Sequence, residues 1–299
     1  MMIVEKKEQF VKMRDGAEIY TVVYDSGFEK TLLMIHGGPG ASCDYFQYPA
    51  ELISQQVNVV LFDKRGVRRS EAINPEIFNV QMLVDDIHDL KNALGLKSWS
   101  ILGHSFGGLL ALLYADQYRE EVENIIFECP SFCNTDTNAN IIDSISKELE
   151  KVQLYEDVER LKDAKQEGLS KLWGLINELP EDIITKLYHP YPRHEKVVAL
   201  CTDSEITPEQ WKKTNLHCER VIQDKLSNEN HFSKLKKLTM PALLLLGEAD
   251  IVTSLKQQEA FITYVEKGKK MVLPKCGHTL HNEIPELFAE KVLAFIKEH

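Results

Sequence analysis

The chain has 299 residues, of which 43% are apolar and 27% charged, and it carries a net charge of −11. A chain of that length can bury a full core without the help of disulfides or metal, and the composition is that of an ordinary globular protein. So negative a field repels a polyanion, which excludes nucleic acid as the expected partner, and no apolar run reaches the length of a signal peptide or a membrane span.

Residues 8–24 read as a β-hairpin around the tight-turn pair Asp15-Gly16. Buried strands are predicted over 32–35 and 57–62, with a helix near 44–55 between them. A helix over 81–94 places Leu83, Ile87, Leu90 and Leu94 on one face and stops at Gly95, a residue suited to a C-cap. A strand over 99–102, a largely apolar helix over 106–117 and a strand over 124–128 follow. Such a βαβα rhythm predicts a mostly parallel sheet with helices on both faces.

The rhythm stops after Pro130. Residues 134–236 carry no β run and read as helical over 140–152, 156–177 and 208–226. Strand–helix alternation then resumes with 242–246, 254–265, 270–273 and 285–297. The economical organisation is an α/β catalytic domain over 1–133 and 237–299, interrupted by a helical cap over 134–236. The basic cluster Lys64, Arg65, Arg68 and Arg69 reads as a solvated loop, and His88 with Asp85, Asp86 and Asp89 as a solvated helix face. Cys43, Cys129, Cys133, Cys201, Cys218 and Cys276 form no CxxC pair, so they read as reduced thiols of a cytoplasmic protein, with no metal expected.

The chemistry is carried by a few loops. GHSFG at 103–107 is a GxSxG string that follows a predicted strand and opens a predicted helix, the setting a nucleophile elbow requires. A serine hydroxyl is a poor nucleophile at neutral pH, so it needs a base, and the base needs an orienting acid. Asp250 lies one short loop beyond the strand over 242–246, and His278 one short loop beyond the strand ending at Leu273. Both fall past carboxyl ends of strands, where parallel sheets gather functional groups. Ser105, Asp250 and His278 are therefore the candidate catalytic residues, with Glu248 and His281 as second choices. HGGPG at 36–40 ends the first central strand, and its Gly38 N–H, with that of Phe106, is the candidate oxyanion hole.

HGGPG, DKRG at 63–66 with Ser70, GHSFGG, GEADIVT and CGHTLHNE together resemble the proline iminopeptidase family of α/β-hydrolases, including the small tricorn-interacting aminopeptidases. The resemblance spans about residues 15–133 and 237–298. It implies an α/β-hydrolase fold and release of an N-terminal residue, often proline, from short peptides, with Ser105, Asp250 and His278 as triad. Two departures matter. The family's second loop usually reads DQRGxGxS, and Arg68 stands here for its second glycine. Small members often carry Glu after the catalytic Asp to hold the substrate's amine, and this chain has Ile251. A carboxylate for that amine would come from the insertion, with Glu205, Glu209, Glu219 and Glu229 as candidates and Glu229 placed nearest to where relatives carry one. Gly37 and Glu229 are the expected substrate contacts.

The leading reading is an aminopeptidase acting through an acyl-enzyme, without cofactor, on a short-peptide or other small-molecule substrate. The second is a carboxylesterase, lactonase or amidase using the same machinery on an acyl group with no free amine. The third is a non-catalytic receptor that keeps the fold as a ligand pocket. Oligomeric state leaves no trace in the sequence.

Overall fold

The computed structural model describes residues 4–167, 169–200 and 206–299. Glu5–Lys12 (β1) and Glu18–Asp25 (β2) form the expected hairpin, closed by a turn in which the Gly16 N–H donates to the Met13 carbonyl. Thr31–Ile35 (β3), Asn58–Phe62 (β4), Trp99–His104 (β5), Val122–Glu128 (β6), Ala242–Gly247 (β7) and Gly268–Leu273 (β8) complete one eight-stranded sheet. Its order is β1-β2-β4-β3-β5-β6-β7-β8. β2 runs antiparallel to both its neighbours, and the other neighbouring pairs are parallel. The central strands are buried almost throughout, which is why they read as continuous aliphatic runs rather than alternating ones.

Gln47–Ile53 (α1), Val80–Ala93 (α2) and Phe106–Gln117 (α3) fall among these strands, and a 3₁₀ turn over Cys43–Phe46 takes the start of the helix expected near 44–55. The helices from 134 to 236 are Asn134–Lys151 (α4), Tyr155–Glu167 (α5), Leu169–Glu178 (α6), Glu181–Tyr188 (α7), Glu195–Leu200 (α8), Pro208–Gln223 (α9), Lys225–Asn228 (α10) and Phe232–Leu235 (α11). Leu255–Tyr264 (α12), Leu280–Glu283 (α13) and Pro285–Glu298 (α14) end the chain. No helix among the described residues is long and apolar enough to cross a membrane.

Two hydrophobic clusters hold this arrangement. The larger joins the sheet to Leu83, Ile87 and Leu90 of α2 and Phe288, Val292 and Ile296 of α14. The smaller lies among the helices that follow β6, where Ile141, Ile145 and Leu149 of α4 meet Leu161, Leu172 and Ile183. Ile251 and Val252, from the loop after β7, are buried in that second cluster. At roughly 1.5–3 kcal/mol per buried large aliphatic side chain, those two residues fasten the helices to the sheet edge.

The basic loop expected to be solvated is instead buried, and Lys64 is 1% exposed. Arg65 is held between Asp15 and Asp86, and Arg69 between Asp44 and Asp63. Asp86, read as part of a solvated face, is thus a buried partner. A buried guanidinium persists only with its charge paired, and Asp15, Asp44 and Asp86 lie far off in sequence, so composition alone hides the pairing. Cys43, Cys129, Cys133, Cys218 and Cys276 are free thiols; Cys201 lies outside the described residues.

Candidate active site

The strand order reverses around β3 and β5, whose carboxyl ends lie side by side with Ile35 paired to Gly103. Ligands of open α/β sheets bind at such a switch point. Ser105 stands there between β5 and α3 at φ 54° and ψ −120°, a conformation costing on the order of 1–3 kcal/mol for a non-glycine residue. The surroundings enforce it. The Ser105 N–H donates to the Glu128 carbonyl at 2.9 Å, and the Gly108 N–H donates to the Ser105 carbonyl at 2.9 Å. The flanking glycines are required by close approach, since a Cβ at Gly107 would lie 2.2 Å from the Ile35 carbonyl oxygen. The serine hydroxyl makes no hydrogen bond among the described residues and opens on a cavity of about 480 Å³.

His278 lines the same cavity, and its Nδ1 lies 2.8 Å from Asp250 Oδ1. Burial raises the Asp250 carboxyl. Its bonds to His278 and to the N–H groups of Val252 and Thr253 outweigh that and leave it below the usual carboxylate range. An ionised Asp250 accepts a hydrogen bond from Nδ1–H, the tautomer that leaves a lone pair on Nε2. The loop is anchored from behind, because His104 Nε2 donates to the His278 carbonyl at 3.0 Å.

Phe106 is the first residue of α3, so its N–H is one of the helix's four unpartnered donors. Gly38, at φ 102°, lines the cavity from the HGGPG loop. Gly37 sits close to Ser105, where a Cβ would fall 3.0 Å from that of Ser105. Its N–H, however, donates to the Tyr45 hydroxyl and its carbonyl accepts from Lys64, so neither is left for a substrate.

The other expectations divide. His281 is fully buried, with Nδ1 2.7 Å from Glu128 Oε1, and it does not line the cavity, so it is no rival to His278. Glu128 went unnoticed in the sequence, although an acid ending the apolar run IIFE signals a buried partner. His104, Glu128 and His281 bring ligand atoms within 4.8 Å of one another, and both His104 nitrogens, His281 Nδ1 and Glu128 Oε1 already have hydrogen-bond partners. Glu248 lies outside the cavity and accepts from Tyr191 and the Lys275 N–H. Glu229 is exposed, 3.5 Å from Lys225, and does not line the cavity. Glu209 and Glu219 are also exposed and do not line it, and Glu205 lies outside the described residues. Ile251 turns into the buried cluster of α4–α7 rather than toward the substrate.

Arg68 resolves the departure in the second loop. It keeps a glycine-like φ of 41°, its N–H donates to Thr214 Oγ1 on α9, and its guanidinium lines the cavity bound to Asp44 and Ser42. Asp44 also binds Arg69 at 2.8 Å. Among the described residues that line the cavity, the one acid is thus tied to two arginines, while Arg193 adds another cation.

A family model described as the alpha/beta hydrolase fold matches residues 30–283. The proline iminopeptidase of Thermoplasma volcanium is 25% identical over 98% of this chain and 97% of its own. Among solved structures, the proline iminopeptidase of Mycobacterium smegmatis superposes with a TM-score of 0.78 at 19% identity, covering 98% of both chains. A proline iminopeptidase-related protein of Thermus thermophilus gives 0.76 at 22%, again over 98% of both. The fold and the family resemblance expected from the motifs are both borne out.

Proposed function

We propose that this chain, which belongs to the alpha/beta hydrolase fold family, is a serine hydrolase working through an acyl-enzyme. The observation that carries the reading is a serine held at φ 54° on the switch-point turn, opening on the same cavity as an imidazole bound to a buried carboxylate. Ser105 Oγ attacks the substrate carbonyl while His278 Nε2 takes its proton. Asp250 steadies the imidazolium, and the N–H groups of Gly38 and Phe106 receive the oxyanion. His278 then returns the proton to the leaving group, and water releases the acyl chain by the same steps in reverse order. Apo serine–histidine contacts are commonly loose and tighten on the substrate.

The first reading of the substrate is a peptide with a free N-terminal residue, supported by relatives that bear the name proline iminopeptidase. The second is an acyl ester or amide without a free amine. It is favoured by one observation: no described cavity residue offers an unpaired carboxylate to an ammonium, while Arg68 and Arg193 present cations. A buried ammonium without a counter-charge is costly.

A fluorophosphonate should label wild-type protein at Ser105 and leave Ser105→Ala unlabelled; labelling elsewhere, or none, rejects the nucleophile. Prolyl- and alanyl-arylamides against p-nitrophenyl esters then separate the substrates. Ester turnover with no arylamide turnover would end the aminopeptidase reading.

A further inference from the structure

The HGGPG loop presents two consecutive peptide units whose polar groups can be followed one by one. In the His36–Gly37 unit, the carbonyl accepts from Lys64 Nζ at 2.8 Å and the N–H donates to the Tyr45 hydroxyl. In the Gly37–Gly38 unit, the carbonyl accepts from Lys64 Nζ at 2.8 Å. The Gly38 N–H is the one group of the four with no hydrogen bond among the described residues. A trans peptide is planar, with its C=O and N–H pointing in opposite directions. Fixing the Gly37 carbonyl inward therefore aims the Gly38 N–H outward, toward the cavity that Gly38 lines.

We propose that Lys64 and Tyr45 form a positioning pair for the oxyanion hole, clamping the two peptides so that the Gly38 N–H meets the developing charge. This rests on the serine hydrolase reading above. Neither residue has been assigned a part in the chemistry so far, and Lys64 falls in the basic cluster that reads as surface.

Hydrogen-bond counting indicates what Lys64 supplies. The Lys64 N–H donates to His36 Nε2 at 3.1 Å, so a neutral His36 carries its proton on Nδ1, 3.0 Å from Lys64 Nζ and 3.2 Å from the Gly37 carbonyl. Two carbonyls take two hydrogens of Nζ, and a third would meet the Nδ1 proton head-on, whereas a lone pair there would accept it. An uncharged amine, with two donors and one acceptor, fits this set of partners. Burial pushes the ammonium well below its usual range, in the same direction. Two donors and an acceptor are also what a glutamine amide offers. Tyr45 completes the set. His104 donates from Nε2 to the His278 carbonyl, so His104 Nδ1 accepts from the Tyr45 hydroxyl at 3.0 Å, and that hydroxyl accepts from Gly37. One phenol links the oxyanion loop, the elbow and the loop of the base.

The test compares Lys64→Met, Lys64→Gln and Tyr45→Phe on the substrate the wild type turns over best. Lys64→Met should lower kcat by about 10- to 100-fold with KM within about threefold, because misplacing one donor weakens the transition state alone. A trifluoromethyl ketone that forms a hemiketal with Ser105 should lose affinity in proportion to kcat. Lys64→Gln should recover to within about threefold of wild type. Tyr45→Phe should show the same kcat-only loss at about fivefold, and it decides the matter if Lys64→Met does not fold. Folded variants with unchanged kcat, or with a loss in KM alone, overturn the clamp, as does a Lys64→Gln no better than Lys64→Met. Wild-type protein that neither labels with fluorophosphonate nor hydrolyses any substrate overturns the underlying reading instead, and the inference with it.

Discussion

Two imidazole–carboxylate pairs, whose histidines lie three residues apart in the chain, differ in almost every respect that bears on chemistry. His278 pairs with Asp250 at 2.8 Å, and His281 pairs with Glu128 at 2.7 Å. His278 lines the cavity, whereas His281 has a buried Nε2 with no hydrogen-bond partner among the described residues. Asp250 receives two backbone N–H bonds besides its histidine and lies below the usual carboxylate range. Glu128 receives only the N–H and ring of His281, its second oxygen has no partner among the described residues, and burial pushes it up to about 7. The same two functional groups face the cavity in one place and are sealed in the interior in the other. What separates them is the number of N–H donors on the acid and whether the imidazole's far nitrogen reaches the cavity.

The sharpest way to break that contrast is to remove each histidine in turn. His278→Gln should lower kcat by on the order of 10³- to 10⁶-fold with little change in secondary structure, since nothing else can take the Ser105 proton. His281→Gln should leave kcat within about tenfold while lowering Tm. Comparable kcat losses in both variants would erase the distinction between the pairs. Next in size is Asp250→Asn, which keeps the shape but offers the ring an amide, allowing the wrong tautomer. A fall of about 10²- to 10⁴-fold in kcat, with Tm nearly preserved, is expected from the cost of that change in serine triads. Activity within threefold of wild type would mean that the N–H groups of Val252 and Thr253 hold no functional carboxylate.

Much of the first pair is legible in the sequence, because each member sits one short loop beyond a buried aliphatic strand, and the strands announce themselves. Ser105 is flagged by glycines that close packing demands at 103 and 107. The second pair is hidden, since Glu128 ends a strand and its partner lies 153 positions away. The loop of Lys64 and Arg65 is hidden for a related reason. A run of cations resembles surface until Asp15, Asp86 and the carbonyls of His36 and Gly37 are brought to it by the fold. Glu229 is suggested only by resemblance to relatives, and α10 ends there in solvent beside Lys225. The helical character of residues 134–236 is legible in the sequence but its divisions are not: α7 and α8 are too short for periodicity to announce.

The smallest expected effect probes the sealed pair through pH. Because burial raises Glu128 to about 7 from 4.5, the folded chain retains a proton that the unfolded chain releases between those values. Stability from this group is therefore fully present below about pH 4.5 and lost as pH rises through about 7. Glu128→Gln keeps an oxygen to accept from the His281 ring and N–H but carries no charge to desolvate. Its Tm relative to wild type should climb by about 2–6 °C between pH 5 and pH 8, while kcat stays within about threefold. The pH 5 comparison isolates the cost of the swap itself, since the wild-type side chain is then largely protonated when folded. A Tm difference that is flat across that range, or that shrinks as pH rises, would mean that Glu128 is comfortably ionised and that the two acids are poised alike after all.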